Sequence, residues 1–162
     1  ILGPLANPSR AKNMVVGVYS PSLTEKVATA MSRLGVERAY VVSGEDNMDE
    51  ITLTGATTVS EIRDGAVTTF TITPEQFGYT RCSKEELAGG TPAENAEITK
   101  AIVNGTEKGP KRQAVCMNAG AALYIAGKAK TIEDGVKIAE NLIDSGAAAA
   151  KLEEFIKLSN EI

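Results

Sequence analysis

Histidine and tryptophan are absent from this 162-residue chain, and cysteine occurs only twice, at Cys82 and Cys116. Without histidine there is no Cys-His nucleophile, and without a Cys-x-x-Cys pairing there is no zinc site of the usual kind. Each cysteine reads as a small buried hydrophobe rather than a redox group. Long apolar runs are missing too. The longest, around Ala121 to Ala126, falls far short of the roughly 20 residues a membrane span needs. Nothing near Ile1 has the charged-then-apolar layout of a signal peptide. A soluble, cytoplasmic protein with no membrane partner is expected. A basic excess is lacking: 17 Lys and Arg stand against 21 Asp and Glu, for a net charge of -4, which argues against a nucleic-acid partner. The chain contains no Gly-x-Ser-x-Gly, no Rossmann fingerprint, no repeat of solenoid period and no long linker.

What is present suffices for one globular domain: 43% of the residues are hydrophobic and 23% charged, enough to bury a core. Met14 to Tyr19 is a short β-branched run that predicts a buried strand, with Gly17 leaving room for another backbone. Ser20-Pro21 or Ser22 then caps a helix, Ser22 with Glu25 forming a capping box, and Val27, Ala30, Met31 and Leu34 recur at helical spacing before Gly35. A second strand, Arg38 to Val42, completes a parallel βαβ unit. Thr57 to Ile62 and Ala66 to Ile72 flank Arg63-Asp64-Gly65, a strong hairpin signal. From Ser83 onward the caps are legible: Ser83 with Glu86, Thr91-Pro92 with Glu94, and Thr131 with Asp134. They predict helices near Lys84 to Leu87, Pro92 to Val103, Arg112 to Ala126, Ile132 to Asp144 and Ala147 to Ser159. The small-residue stretch Asn118-Ala119-Gly120-Ala121-Ala122 permits close helix packing. The expected fold class is α/β: a mainly parallel sheet with an antiparallel hairpin extension, followed by a C-terminal group of helices, as part of a larger α/β domain.

Candidate chemistry sits in Ser43-Gly44-Glu45-Asp46-Asn47-Met48-Asp49-Glu50, where four carboxylates fall in six positions at the carboxyl end of a parallel strand. Open α/β sheets place ligands there. Taken alone, the segment fits a solvated acidic turn. It also fits a metal site, since Asp49 and Glu50 in a loop or first helical turn can reach one hydrated Mg²⁺ or two neighbouring ions, with water and substrate phosphates completing the shell. An EF-hand is excluded, because Ile51 stands where its loop requires glycine. Gly105 to Lys111 has the wrong spacing for a phosphate loop, and Pro110 removes an amide such a loop would use. Ala88-Gly89-Gly90-Thr91 reads as a helix stop followed by a capped start.

Several segments together resemble anthranilate phosphoribosyltransferase, in the family's order and over nearly the whole chain. They are Gly3-Pro4-Leu5-Ala6-Asn7-Pro8, Gly44 to Ile51, Leu87-Ala88-Gly89-Gly90 followed by Asn95, Asn118 to Leu123, and Ile143 to Ala148 before Lys151-Leu152. The resemblance implies transfer of phosphoribosyl from phosphoribosyl pyrophosphate to the amine of anthranilate, in tryptophan biosynthesis. It implies that Asp49 and Glu50 bind the Mg²⁺ accompanying the donor's pyrophosphate, and that Gly3 and Pro4 border the anthranilate site. It also implies a homodimer for the intact enzyme.

The opening Gly-Pro and Asn-Pro dipeptides punctuate chains rather than begin them. Residues 1–162 are accordingly expected to be a C-terminal portion of the enzyme's α/β domain. The family's helical domain and its glycine-rich phosphate loop lie upstream of the matched segments, so the isolated chain is expected to be inactive. Two alternatives stand beside this: a stand-alone, non-catalytic binding or assembly module of the same fold, and a relative of the pyrimidine nucleoside phosphorylases.

Overall fold

The computed structural model describes residues 2–161. After a short helix α1 (Leu2–Leu5), the chain enters the strand β1 (Asn13–Gly17), crosses over through helix α2 (Pro21–Arg33) and returns as β2 (Arg38–Gly44). β1 and β2 pair in parallel, from Asn13 opposite Arg38 to Gly17 opposite Val42. The next strands, β3 (Thr57–Arg63) and β4 (Ala66–Ile72), add antiparallel pairs, giving the order β1-β2-β3-β4. The sheet is therefore mixed. Its parallel character rests on β1 and β2, and the hairpin supplies the rest. Asp64 and Gly65 both take positive φ, 52° and 79°, the two-residue turn whose twist matches its flanking strands.

α2 starts at Pro21 with Ser20 as its N-cap. The capping box between Ser22 and Glu25 does not form. Proline at the first helical position sets the start and places Ser22 inside the first turn, where its hydroxyl pairs with that of Ser20 at 3.0 Å. Val27, Ala28 and Met31 fall on one face and pack on Ala39, Val41 and Ile62 beneath the sheet. Alternation along β2 sends Tyr40 and Val42 to the opposite face. There they meet Met117, Ala121, Tyr124 and Ile125. These belong to helix α5 (Pro110–Ile125), which follows the shorter α3 (Lys84–Leu87) and α4 (Pro92–Val103).

The sheet thus lies between α2 and α5. Behind α5 runs α6 (Ile132–Asp144), and beyond it α7 (Ala147–Ser159). α5 and α6 touch backbone to backbone. An added Cβ at Gly135 would lie 2.2 Å from the Gly120 carbonyl oxygen, so these two glycines allow the crossing. Ser83, Thr91 and Thr131 cap their helices as expected, each accepting a backbone N–H three residues on. Among the described residues no helix is long and apolar enough to cross a membrane.

Candidate functional site

The loop joining β2 to β3 divides its four carboxylates into two kinds. Glu45 and Asp46 hold the loop together. The Glu45 carboxylate accepts the Ala56 N–H at 2.9 Å. Asp46 accepts the Met48 N–H at 3.3 Å, the Thr52 hydroxyl at 3.2 Å and the Thr54 hydroxyl at 2.7 Å. Desolvation opposes ionisation of Asp46, but the hydrogen bonds from Thr54, Met48 and Thr52 outweigh it and lower its pKa below the ordinary carboxylate value. Asn47 takes a positive φ of 65° at the tip, a conformation asparagine tolerates. Lys84 donates to the Asp46 carbonyl at 2.7 Å, tying α3 to the same turn.

Asp49 and Glu50 are the other kind. Both are exposed. Among the described residues neither carboxylate has a hydrogen-bond or ion-pair partner. Partial desolvation on the cavity wall, and then the charge on Asp49, raise the Glu50 pKa above its ordinary value. The pair is thus an uncompensated negative charge, the environment a divalent cation relieves. No three His, Cys, Asp or Glu side chains converge among the described residues. A donor set of two carboxylates fits Mg²⁺ that brings most of its octahedral shell as water and phosphate, and does not fit a closed structural site.

Two neighbours place this pair. On one flank, Gly17 lets β1 approach so closely that an added Cβ there would lie 1.6 Å from the Asp49 carbonyl oxygen, the close backbone approach anticipated at that glycine. On the other, Asn118 of α5 donates its amide to the Ile51 carbonyl at 2.9 Å and accepts the Ile51 N–H at 3.0 Å. Asn118 was legible in the sequence as part of a small-residue helix stretch and of a segment shared with the family it resembles, with no role attached to it. Its signal is a polar amide among residues that otherwise pack.

The four site residues expected from the sequence do not all converge. Pro4 and Asp49 border one small cavity of about 150 Å³, with Gly17, Val18, Tyr19 and Val27 on its other walls. Glu50 borders a second, larger cavity of about 600 Å³, among Ile51, Leu53, Ile98, Lys111, Ala114 and Asn118. Gly3 is exposed, and an added Cβ would meet nothing within 4 Å. Gly3 and Pro4, expected in a turn, lie in the short helix α1, and Pro4 brings that helix to Asp49. The two carboxylates border different cavities. The cleft lies at the carboxyl ends of β1 and β2, where open α/β sheets take ligands.

Comparison with known proteins agrees with this architecture. The anthranilate phosphoribosyltransferase of Methanobrevibacter smithii is 52% identical over 160 residues, covering 99% of this chain and 48% of that protein. The enzyme of the same name from Desulfosudis oleivorans is 51% identical over 159 residues, covering 98% and 47%. The chain spans about half the length of these relatives. Among solved structures, anthranilate phosphoribosyltransferase from Thermus thermophilus superposes with a TM-score of 0.88 at 41% identity, covering 96% of this chain and 46% of that one. The Saccharomyces cerevisiae enzyme in complex with phosphoribosyl pyrophosphate and Mg superposes with a TM-score of 0.89 at 30% identity, covering 100% and 47%. The model of the glycosyl transferase family, a/b domain, matches residues 1–149. On that match over nearly its whole length, the chain belongs to the glycosyl transferase family, a/b domain.

Proposed function

We propose that residues 1–162 are the part of an anthranilate phosphoribosyltransferase that carries its Mg²⁺-binding loop and one border of its acceptor site. The substrates are phosphoribosyl pyrophosphate and anthranilate, and the working assembly is a homodimer. The observation that carries this reading is the shared cavity between Pro4 and the unpartnered Asp49 at the carboxyl ends of β1 and β2. It puts an apolar wall suited to an aromatic acceptor beside a carboxylate suited to the donor's counter-ion.

The reaction displaces pyrophosphate from the ribose anomeric carbon by the anthranilate amine, so negative charge accumulates on the leaving group while the ribosyl centre becomes electron-poor. Asp49 and Glu50 would hold Mg²⁺, which when bound would supply neutralisation of that leaving-group charge. The chain's own residues position rather than react. Pro4 presents a fixed, apolar border. Gly17 and Asn118 hold the loop from both sides. Glu45 and Asp46 keep it folded and leave the other two carboxylates free. Such a reaction uses no side-chain nucleophile, which accords with a chain without histidine.

In the full-length protein, Asp49→Asn with Glu50→Gln preserves size while removing two charges. It is expected to lower steady-state turnover on the order of a hundredfold at saturating donor and acceptor, and to weaken the response to Mg²⁺, with little change in the thermal melt. Residues 1–162 alone are expected not to turn over, because positioning the donor requires groups from the rest of the enzyme. A large loss of stability with normal activity per folded molecule would make the acidic pair structural and sink the assignment of the metal to it.

A further inference from the structure

Resting on the assignment of Mg²⁺ to the acidic pair, we infer that Asn118 is a positioning residue for the metal. It acts through the backbone of Ile51 and not by touching the ion. Asn118 stands in the middle of α5, a helix otherwise given to packing on the sheet. Its side chain makes three hydrogen bonds. The amide nitrogen donates to the Ala114 carbonyl at 3.0 Å, one helical turn back, and to the Ile51 carbonyl at 2.9 Å. The amide oxygen accepts the Ile51 N–H at 3.0 Å. The bond to Ala114 fixes the rotamer, and the two to Ile51 close a ring that mimics one rung of a β-ladder. Ile51 is 2% exposed, so its N–H and C=O have no water to fall back on.

Glu50 is the residue immediately before this rung, and Asp49 the one before that. The Asp49 carbonyl is in turn pressed against the last residue of β1, where only glycine fits. The two carboxylates therefore sit on a three-residue span held at both ends, by an amide clamp after it and by a zero-clearance backbone contact before it. Their side chains are free of partners, while the span that carries them is fixed at the Asp49 carbonyl and at Ile51. This is the arrangement by which residues one step removed orient ligands and tune a metal site. Ion affinity then depends on a residue that contributes no ligand.

The binding test uses the full-length protein with phosphoribosyl pyrophosphate present and anthranilate absent, and a separate turnover assay adds anthranilate. Mn²⁺ is the probe, its binding followed through its paramagnetic effect on water protons. Asn118→Ala is expected to weaken Mn²⁺ binding about tenfold, and to raise the Mg²⁺ concentration for half-maximal turnover in parallel, with the KM for anthranilate unchanged. A role confined to folding would lower the melt and the folded fraction and leave Mn²⁺ affinity per folded molecule as it was; that result overturns the inference. Should Asn118→Ala fail to fold, Asn118→Ser, whose hydroxyl can still bond the Ala114 carbonyl but cannot bridge both Ile51 groups, is read in the same way, with unchanged Mn²⁺ affinity again the refuting result. Asp49→Asn with Glu50→Gln separates the two levels. If this pair of changes weakens Mn²⁺ binding and Asn118→Ala does not, the positioning role alone is wrong. If the pair itself leaves Mn²⁺ binding intact, the metal assignment falls and the role of Asn118 falls with it.

Discussion

Gly135→Ala is a one-methyl change with an outcome opposite to the one helix propensity predicts. In an exposed helix interior, replacing glycine by alanine stabilises by about 1 kcal/mol, because the backbone loses less freedom on folding. Gly135 lies in the first turn of α6, against α5. The new Cβ would stand 2.2 Å from the Gly120 carbonyl oxygen, 2.9 Å from its carbonyl carbon and 3.1 Å from its Cα. Close carbon–oxygen contacts settle near about 3.3 Å, so the helices must part locally by about 1 Å. No side-chain rotamer relieves this, since every atom met is backbone. Parting the helices also loosens the cluster of Cys116, Val136, Ala139 and Ile143 between them. Overpacking of this kind costs about 1–3 kcal/mol and sometimes more. With the propensity gain set against the upper part of that range, a net loss of about 2 kcal/mol is expected. Urea unfolding reads it as a lower midpoint at unchanged slope. Gly135→Ala at or above wild-type stability would refute the claim that this crossing depends on glycine. The converse change, Gly120→Ala, drives a Cβ to 2.6 Å from the Val136 nitrogen and should act in the same direction. The two losses should not add, since they relieve one shared contact.

Asp46 should make the acid stability of the β2–β3 loop pH-dependent. Its folded pKa is depressed, so its contribution is complete above the ordinary carboxylate range and is lost as pH falls through the lowered folded value. Asp46→Asn should therefore destabilise at neutral pH, with the gap from wild type closing in acid; a pH-independent gap would contradict this. Gly65→Ala should destabilise by about 1–2 kcal/mol because the turn holds this residue at φ 79°, while Asp64→Asn should leave thermal stability nearly unchanged. Burial raises the thiol pKa of both Cys82 and Cys116. In the native state at neutral pH, a maleimide should label half-buried Cys82 slowly and buried Cys116 not at all, and both should react after denaturation; prompt labelling of Cys116 would show that α5 is not packed as described.

The elements legible in the sequence are those written in local chemistry. Thr91-Pro92 with Glu94 marks the start of α4, because a cap, a proline and a reciprocal glutamate are all decided within four residues. Asp64-Gly65 marks the hairpin for the same reason. The start of α2 was less clear. Two serines two residues apart can each cap, and only the formed helix selects Ser20. β2 runs to Gly44 rather than Val42 because Ser43 and Gly44 find partners in Thr58 and Thr57, residues that a local pattern does not connect to them. The balance of parallel and antiparallel pairing is likewise a fact about which strands meet.

For the site, the sequence alone determined that chemistry could gather at the acidic run after the second strand, that this chain brings no histidine and no Cys-x-x-Cys pair to it, and that Gly17 marks a close approach. The resemblance singled out Asp49 and Glu50, but charge and position alone gave no reason for Glu45 and Asp46 to differ from them, since all four carry the same charge and fall within six positions. The tertiary structure makes that division. Ala56, Thr52 and Thr54 come back across the loop to satisfy the first two carboxylates and leave the last two without partners. It also brings Pro4 to Asp49, though they stand 45 positions apart, and sets Asn118 of α5 against Ile51, 67 residues away. Caps, turns and periodicity follow from neighbours along the chain, whereas the partner of a buried polar group follows from which surfaces the core brings together. That selection belongs to the packed sheet and its helices, and here it decides which carboxylates are free.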